Sequence, residues 1–193
     1  MKFILSILIV TMAFTGCKDE NSQIQESEHI HEMGEPNAET KNSLSPHTSA
    51  MAMIGDAHVH IDYSSPGVRN RIIFGGLLAY DEVWQAGAHM ATWIETNKDL
   101  IIDGKTLPAG KYGLFAIPSR AKWTLIFNTN WNQHGKDEYN PEEDVLRVTV
   151  ETEFIDEITE HLKYAVEETG EDEGVISLEW EKVKVELPFE VKN

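Results

Sequence analysis

Two histidines separated by one residue, His58 and His60, fall in the alternating run His58-Val59-His60-Ile61-Asp62-Tyr63. On a strand this spacing turns both imidazoles to one face, within reach of a single metal ion. A third imidazole, His89, follows in a Gly-Ala-His turn between Trp84 and Trp93, and a fourth, His134, lies in a long polar segment from Asn128 to Glu143. Neutral imidazoles without a thiolate favour zinc, copper, nickel or iron over calcium or magnesium. The expected site is therefore His58, His60 and His89 on one ion, with His134 as a further ligand; the competing use is as separate surface histidines. A three-histidine site keeps a position open for water, whose pKa falls toward about 7 on zinc. Asp62, Tyr63 and Glu95 are the candidates to orient a ligand or accept the proton. Such a centre would support metal-assisted hydrolysis or hydration, or redox chemistry, and no residue selects a substrate. Arg69 and Arg71 flank a turn beside Asp62 and Asp81, where they would form structural ion pairs or anchor an anion.

The elements that must position these residues read as strands. Apolar residues recur with a period of two in Lys111–Ile117, in Lys122–Asn128, in Val145–Val150 and in three runs after Leu162. Arg71–Phe74 and Ala91–Thr96 read as further short strands, and Leu100-Ile101-Ile102 followed by Asp103-Gly104 reads as a tight hairpin. Asp156–Glu168 has the acidic start of a helix, but the alternation of Leu162, Tyr164 and Val166 favours a loop followed by a strand. Many short strands with turn signals between them predict an all-β fold, an antiparallel β-sandwich or flattened barrel in a single domain over 51–193.

The front of the chain has a different character. Lys2 precedes an apolar run from Phe3 to Phe14, too short to span a bilayer, and Ala13-Phe14-Thr15-Gly16-Cys17 ends in small residues before the chain's one cysteine. This resembles a bacterial lipobox, which implies cleavage of residues 1–16 and lipidation of Cys17. The expected location is then the cell envelope, lipid-anchored to the outer membrane and facing the periplasm or the cell surface. Residues 17–50, rich in Glu, Ser, Asn and His, read as a disordered tether that holds the domain roughly 30 Å from the lipid. His29, His31 and Met33, followed by His47, Met51 and Met53, make the stretch a candidate collector of copper or zinc, against the plainer reading of incidental linker residues.

With 33 acidic and 16 basic residues the formal charge is -17, which excludes binding to a phosphate backbone and hence to nucleic acid. A lone cysteine excludes an internal disulfide, and no Ser-His-Asp or Cys-His motif stands out.

The motifs YSSPGVRNR, IFGGLLAYDEVWQAGAHMAT, DGKTLPAGKYGLFAIP, WTLIFN, DVLRVTV and LEWEKVKVELPFEV, in that order, resemble the bacterial domain of unknown function family numbered 2911. The resemblance covers about residues 52–191 and implies an exported β-rich domain, often on a lipoprotein, with no reaction attached. Many members have Asn-Glu where this chain has His89-Met90 and Trp where it has His134, so the chain carries more ligand-type residues than those relatives. Three classes of function compete: a metal-binding domain, a non-catalytic module for carbohydrate or an envelope protein, and a structural envelope component. Trp84, Trp93, Trp123 and Trp180 are mostly core by alternation, and one or two of them exposed beside the loops would suggest a sugar-binding face.

Overall fold

The structure, a computed structural model, describes residues 43–192; the apolar leader, Cys17 and the histidines at 29 and 31 lie outside the described residues. The described chain forms β1 (His47–Ile54), β2 (Ala57–Ser64), β3 (Trp93–Thr96), β4 (Leu100–Ile102), β5 (Lys105–Leu107), β6 (Gly110–Ile117), β7 (Lys122–Asn128), β8 (Asp144–Gly170) and β9 (Glu173–Val191). All pairings between them are antiparallel, in the order β1-β2-β3-β6-β7-β8-β9-β4-β5. The all-β, antiparallel expectation holds, and the sheet is open at β1 and β5 rather than closed into a barrel.

Alternation explains the strands. In β2 the residues Val59, Ile61 and Tyr63 are buried, and in β9 so are Val183, Val185, Leu187, Phe189 and Val191. The predicted hairpin is present: Ile102 pairs with Lys105, and Asp103 and Gly104 both take positive φ (50° and 70°), the conformation this two-residue turn demands.

The sandwich arises from one long strand. β8 pairs with β7 through Glu151 and with β9 from Thr152 onward. Between Phe154 and Lys163 it advances nine residues while β9 moves four, from Val183 to Glu179. Such a bulge bends a strand and lets the sheet fold back on itself. The Ser65 amide donates to Pro46 O (2.9 Å), the Leu162 amide to Pro66 O (3.0 Å), and the Ser65 hydroxyl to Leu162 O (2.6 Å), closing a seam between the end of β2 and the middle of β8. Between the layers, Tyr63 meets Tyr164 edge to face at 4.8 Å, Trp84 stacks on Trp180 at 5.7 Å, and Phe74 stands edge-on to Trp84, Trp123 and Trp180. Each buried aromatic of this cluster contributes about 2–3 kcal/mol of burial energy. Trp84, Trp123 and Trp180 are thus core residues, as alternation suggests.

Four sequence expectations need correction. Arg71–Phe74 is a turn held by the Leu77 and Leu78 amides on Ile72 and Ile73 carbonyls, because Arg69 and Asn70 have just taken positive φ (49° and 57°) and reversed the chain. The segment 156–168 is continuous bulged strand, with no separate loop. Ile176–Trp180 and Val183–Val191 belong to one strand, kinked at Glu181 (φ 57°). Finally β1 begins at His47, so the folded domain reaches four residues into the stretch assigned to the tether.

Candidate metal centre

The two-residue turn Gly55-Asp56 joins β1 to β2 and sets their register: Ile54 faces Ala57, Met53 faces His58, and Met51 faces His60. Gly55 takes φ 53°, a conformation that favours glycine, and a Cβ there would push the Asp172 carboxylate aside. Directly opposed residues of an antiparallel pair project to the same side with Cβ atoms about 5 Å apart. Ile54, Val59 and Ile61 fill the core side, which leaves Met51, Met53, His58 and His60 together on the outer face.

β3 and β6 extend this face. His60 is opposed by Glu95, which is opposed by Lys111; Asp62 is opposed by Trp93. The His58 and His60 rings lie 5.9 Å apart, and Trp93 stands edge-on to His60 at 5.0 Å. The Lys111 ammonium sits 3.3 Å above the Trp93 ring and 4.0 Å from that of Trp131. His60 Nε2 is buried and has no hydrogen-bond partner. A buried nitrogen without a partner is costly, and a ligand that paired with it would relieve that cost.

The other predicted site residues divide. His89, in a turn with φ 60°, is joined to the neighbourhood of His134: the Gly135 amide donates to His89 O (2.8 Å), and Met90 bridges to His134. His134 is exposed and faces Asp137 at 3.2 Å. Among the described residues no three side chains of the types His, Cys, Asp and Glu group closely enough to hold a metal ion. The His58 and His60 rings lie together, His89 and His134 are brought near each other only through backbone contacts, and no group of three forms from the expected set of His58, His60, His89 and His134. Tyr63 also needs correction: its ring lies on the core side, its oxygen accepts the Tyr164 amide (3.2 Å), and burial pushes its phenol up. It cannot serve a group on the outer face. Asp62 and Glu95 do share that face, Asp62 accepting from His47 Nε2 at 2.8 Å.

Arg71 donates to the carbonyls of Gly67 (2.6 Å) and Val68 (3.0 Å), holding a turn rather than pairing with Asp62 or Asp81, and the Arg69 amide donates to the Glu160 carboxylate (2.9 Å). The long segment after Asn128 is pinned from within. Asn128 Nδ2 donates to Asn140 O (2.9 Å) and Asp144 Oδ1 (2.8 Å), while Asp144 Oδ2 accepts from Tyr139 (2.9 Å) and Arg147 (2.7 Å). Burial, and then the Asp144 carboxylate, push the Tyr139 phenol up to about 12. This segment delivers Trp131 to Lys111, and it passes close over Gly113, where a Cβ would lie 3.1 Å from Asn130 O and 3.3 Å from Trp131 Cα.

Met51 and Met53 are the members of this face that the histidine pattern alone does not place, since both stand in the polar stretch before the first obvious strand. Their signal was the pairing of Met-Ala-Met-Ile with Ala-His-Val-His across Gly55-Asp56, a hairpin written in turn residues.

The fold and this face define an all-β sandwich domain with a cluster of nitrogen and sulfur donors on one sheet. A family model described as "Protein of unknown function (DUF2911)" matches residues 45–189, and the chain belongs to that family. The start of the match agrees with β1 as the first strand. No curated protein and no solved structure matches the chain.

Proposed function

We propose that this protein is an exported, lipid-anchored binder of a transition-metal ion, zinc, copper or iron, held on the outer face of β1, β2 and β3 by His58 and His60. The observation that carries this reading is the pair of imidazoles 5.9 Å apart on one face, with His60 Nε2 buried and unpartnered. Asp62 and Glu95 lie on the same face and supply negative charge beside a cation. Export and anchoring rest on the apolar run from Phe3 to Phe14 and the small residues before Cys17. A carbohydrate platform is less well supported, because Lys111 already occupies the face of Trp93. Binding rather than catalysis is the simpler function: two imidazoles hold an ion, and a reaction needs a substrate pocket beside it.

Elemental analysis of the full chain against a His58→Ala, His60→Ala double variant tests this. A stoichiometric metal in the parent that is lost in the variant is the expected result; equal metal content in the two sinks the reading.

A further inference from the structure

We infer that the metal is copper(I), bound jointly by the thioethers of Met51 and Met53 and the imidazoles of His58 and His60. This deepens the reading above and rests on it. The hairpin register opposes each methionine to a histidine, Met53 to His58 and Met51 to His60, so the face carries two sulfur and two nitrogen donors in adjacent rows. Both methionines are 55% exposed and project from the same face of an edge strand, where their thioethers are accessible to an ion.

The donor chemistry selects the ion. Zinc takes imidazole, thiolate and carboxylate, and no such trio is assembled among the described residues. Thioethers are soft and neutral, and with imidazole they suit copper(I) above the harder divalent ions. Lys111, held over Trp93, and Glu95, directly opposite His60, put opposite charges beside the site, so the donor set rather than the local charge selects the ion. Methionine also adapts: its unbranched chain re-packs readily, so Met51, opposite His60, can shift its thioether onto an ion.

The test uses the full chain carrying Cys17→Ser, which removes the one thiol that would compete for the ion. Copper(I), under reductant, is titrated against a chromophoric copper(I) chelator, with silver(I) as a redox-inert second probe and zinc(II) as the contrasting one. Met51→Leu, Met53→Leu keeps apolar bulk on the strand, and its thermal unfolding should match the parent. The expected result is a single equivalent of copper(I), weakened by about tenfold for each thioether removed. Copper(I) affinity unchanged in the methionine variant overturns the inference. Tight zinc(II) binding that depends on His58 and His60 but not on the methionines also overturns it, and leaves the broader metal reading standing. Binding of none of the three probes overturns the inference, and if elemental analysis of the chain also finds no iron the broader metal reading falls with it.

Discussion

At the scale of single residues, the phenols give the sharpest consequences. Tyr164 is buried and its hydroxyl donates to Ala86 O (2.8 Å); burial, then the nearby Tyr63, raise its ionisation well above the ordinary 10.0. Tyr139 is pushed up to about 12 by burial and by Asp144. In the unfolded chain both phenols release their protons near 10, so above that pH the unfolded state binds fewer protons than the native one. The stabilisation from each phenol is complete below pH 10 and declines as pH rises, for Tyr139 across the window from 10 to about 12. Denaturant midpoints measured from pH 8 to pH 12 should fall only in the upper half of that range, and Tyr139→Phe should flatten the fall while lowering stability near neutrality by about 1 kcal/mol. A midpoint that rises with alkaline pH would contradict the assignment. The same scale shows what one rule can and cannot deliver. Alternation correctly turned His58 and His60 outward, and it should have withdrawn Tyr63 from the site at once, since an odd position on that strand faces the core. It gave no hint that His60 would be ringed by Met51, Glu95, Trp93 and His58, because cross-strand neighbours come from register, not from local sequence.

At the scale of elements, the strands were largely legible and their boundaries were not. The second half of β9 alternates strictly, so period two announces it, while β6 and β7 are apolar runs buried on both faces that stand out by their β-branched and aromatic content. β1 was missed because it is an edge strand with only Ile54 fully buried, and its Ser, Thr and His residues resemble a linker. The bulge in β8 was invisible for a related reason: its five surplus residues belong to no pairing that a periodic pattern records. These errors have consequences in the test tube. A chain started at Met51 would lose His47–Ala50 and with them four cross-strand pairs to β2, a cost of about 2 kcal/mol. Thermal unfolding should show it as a lower midpoint than that of a chain started at residue 43; equal midpoints would mean that the first half of β1 adds nothing. Gly113 offers a second test. Alanine there would press first on the buried Phe115 ring (2.8 Å) and then on the Asn130 and Trp131 backbone, at a cost of about 1–3 kcal/mol, and would loosen the seat of Lys111 between the two indoles. Tryptophan fluorescence should then shift to the red, and an unchanged spectrum would refute the contact.

At the scale of the whole molecule, an acidic sandwich follows a stretch that reads as leader and tether, with the donor-bearing face on the domain's first hairpin. If Cys17 carries the lipid, the chain will fractionate with membranes and Cys17→Ser will release it to the soluble fraction; equal partitioning of both would remove the anchor from the account. The tether's own histidines and methionine, His29, His31 and Met33, precede this face in the chain and use the same donor types. Which histidines hold the ion is therefore the central question, and the imidazole nitrogens answer it directly. We would label the histidine rings with nitrogen-15 and follow them by NMR as a single equivalent of silver(I) is added to the Cys17→Ser chain. The account predicts that the ring signals of His58 and His60 move together and saturate at that equivalent, while those of His89 and His134 stay in place. Movement confined to His89 and His134, or to His29 and His31, would contradict it.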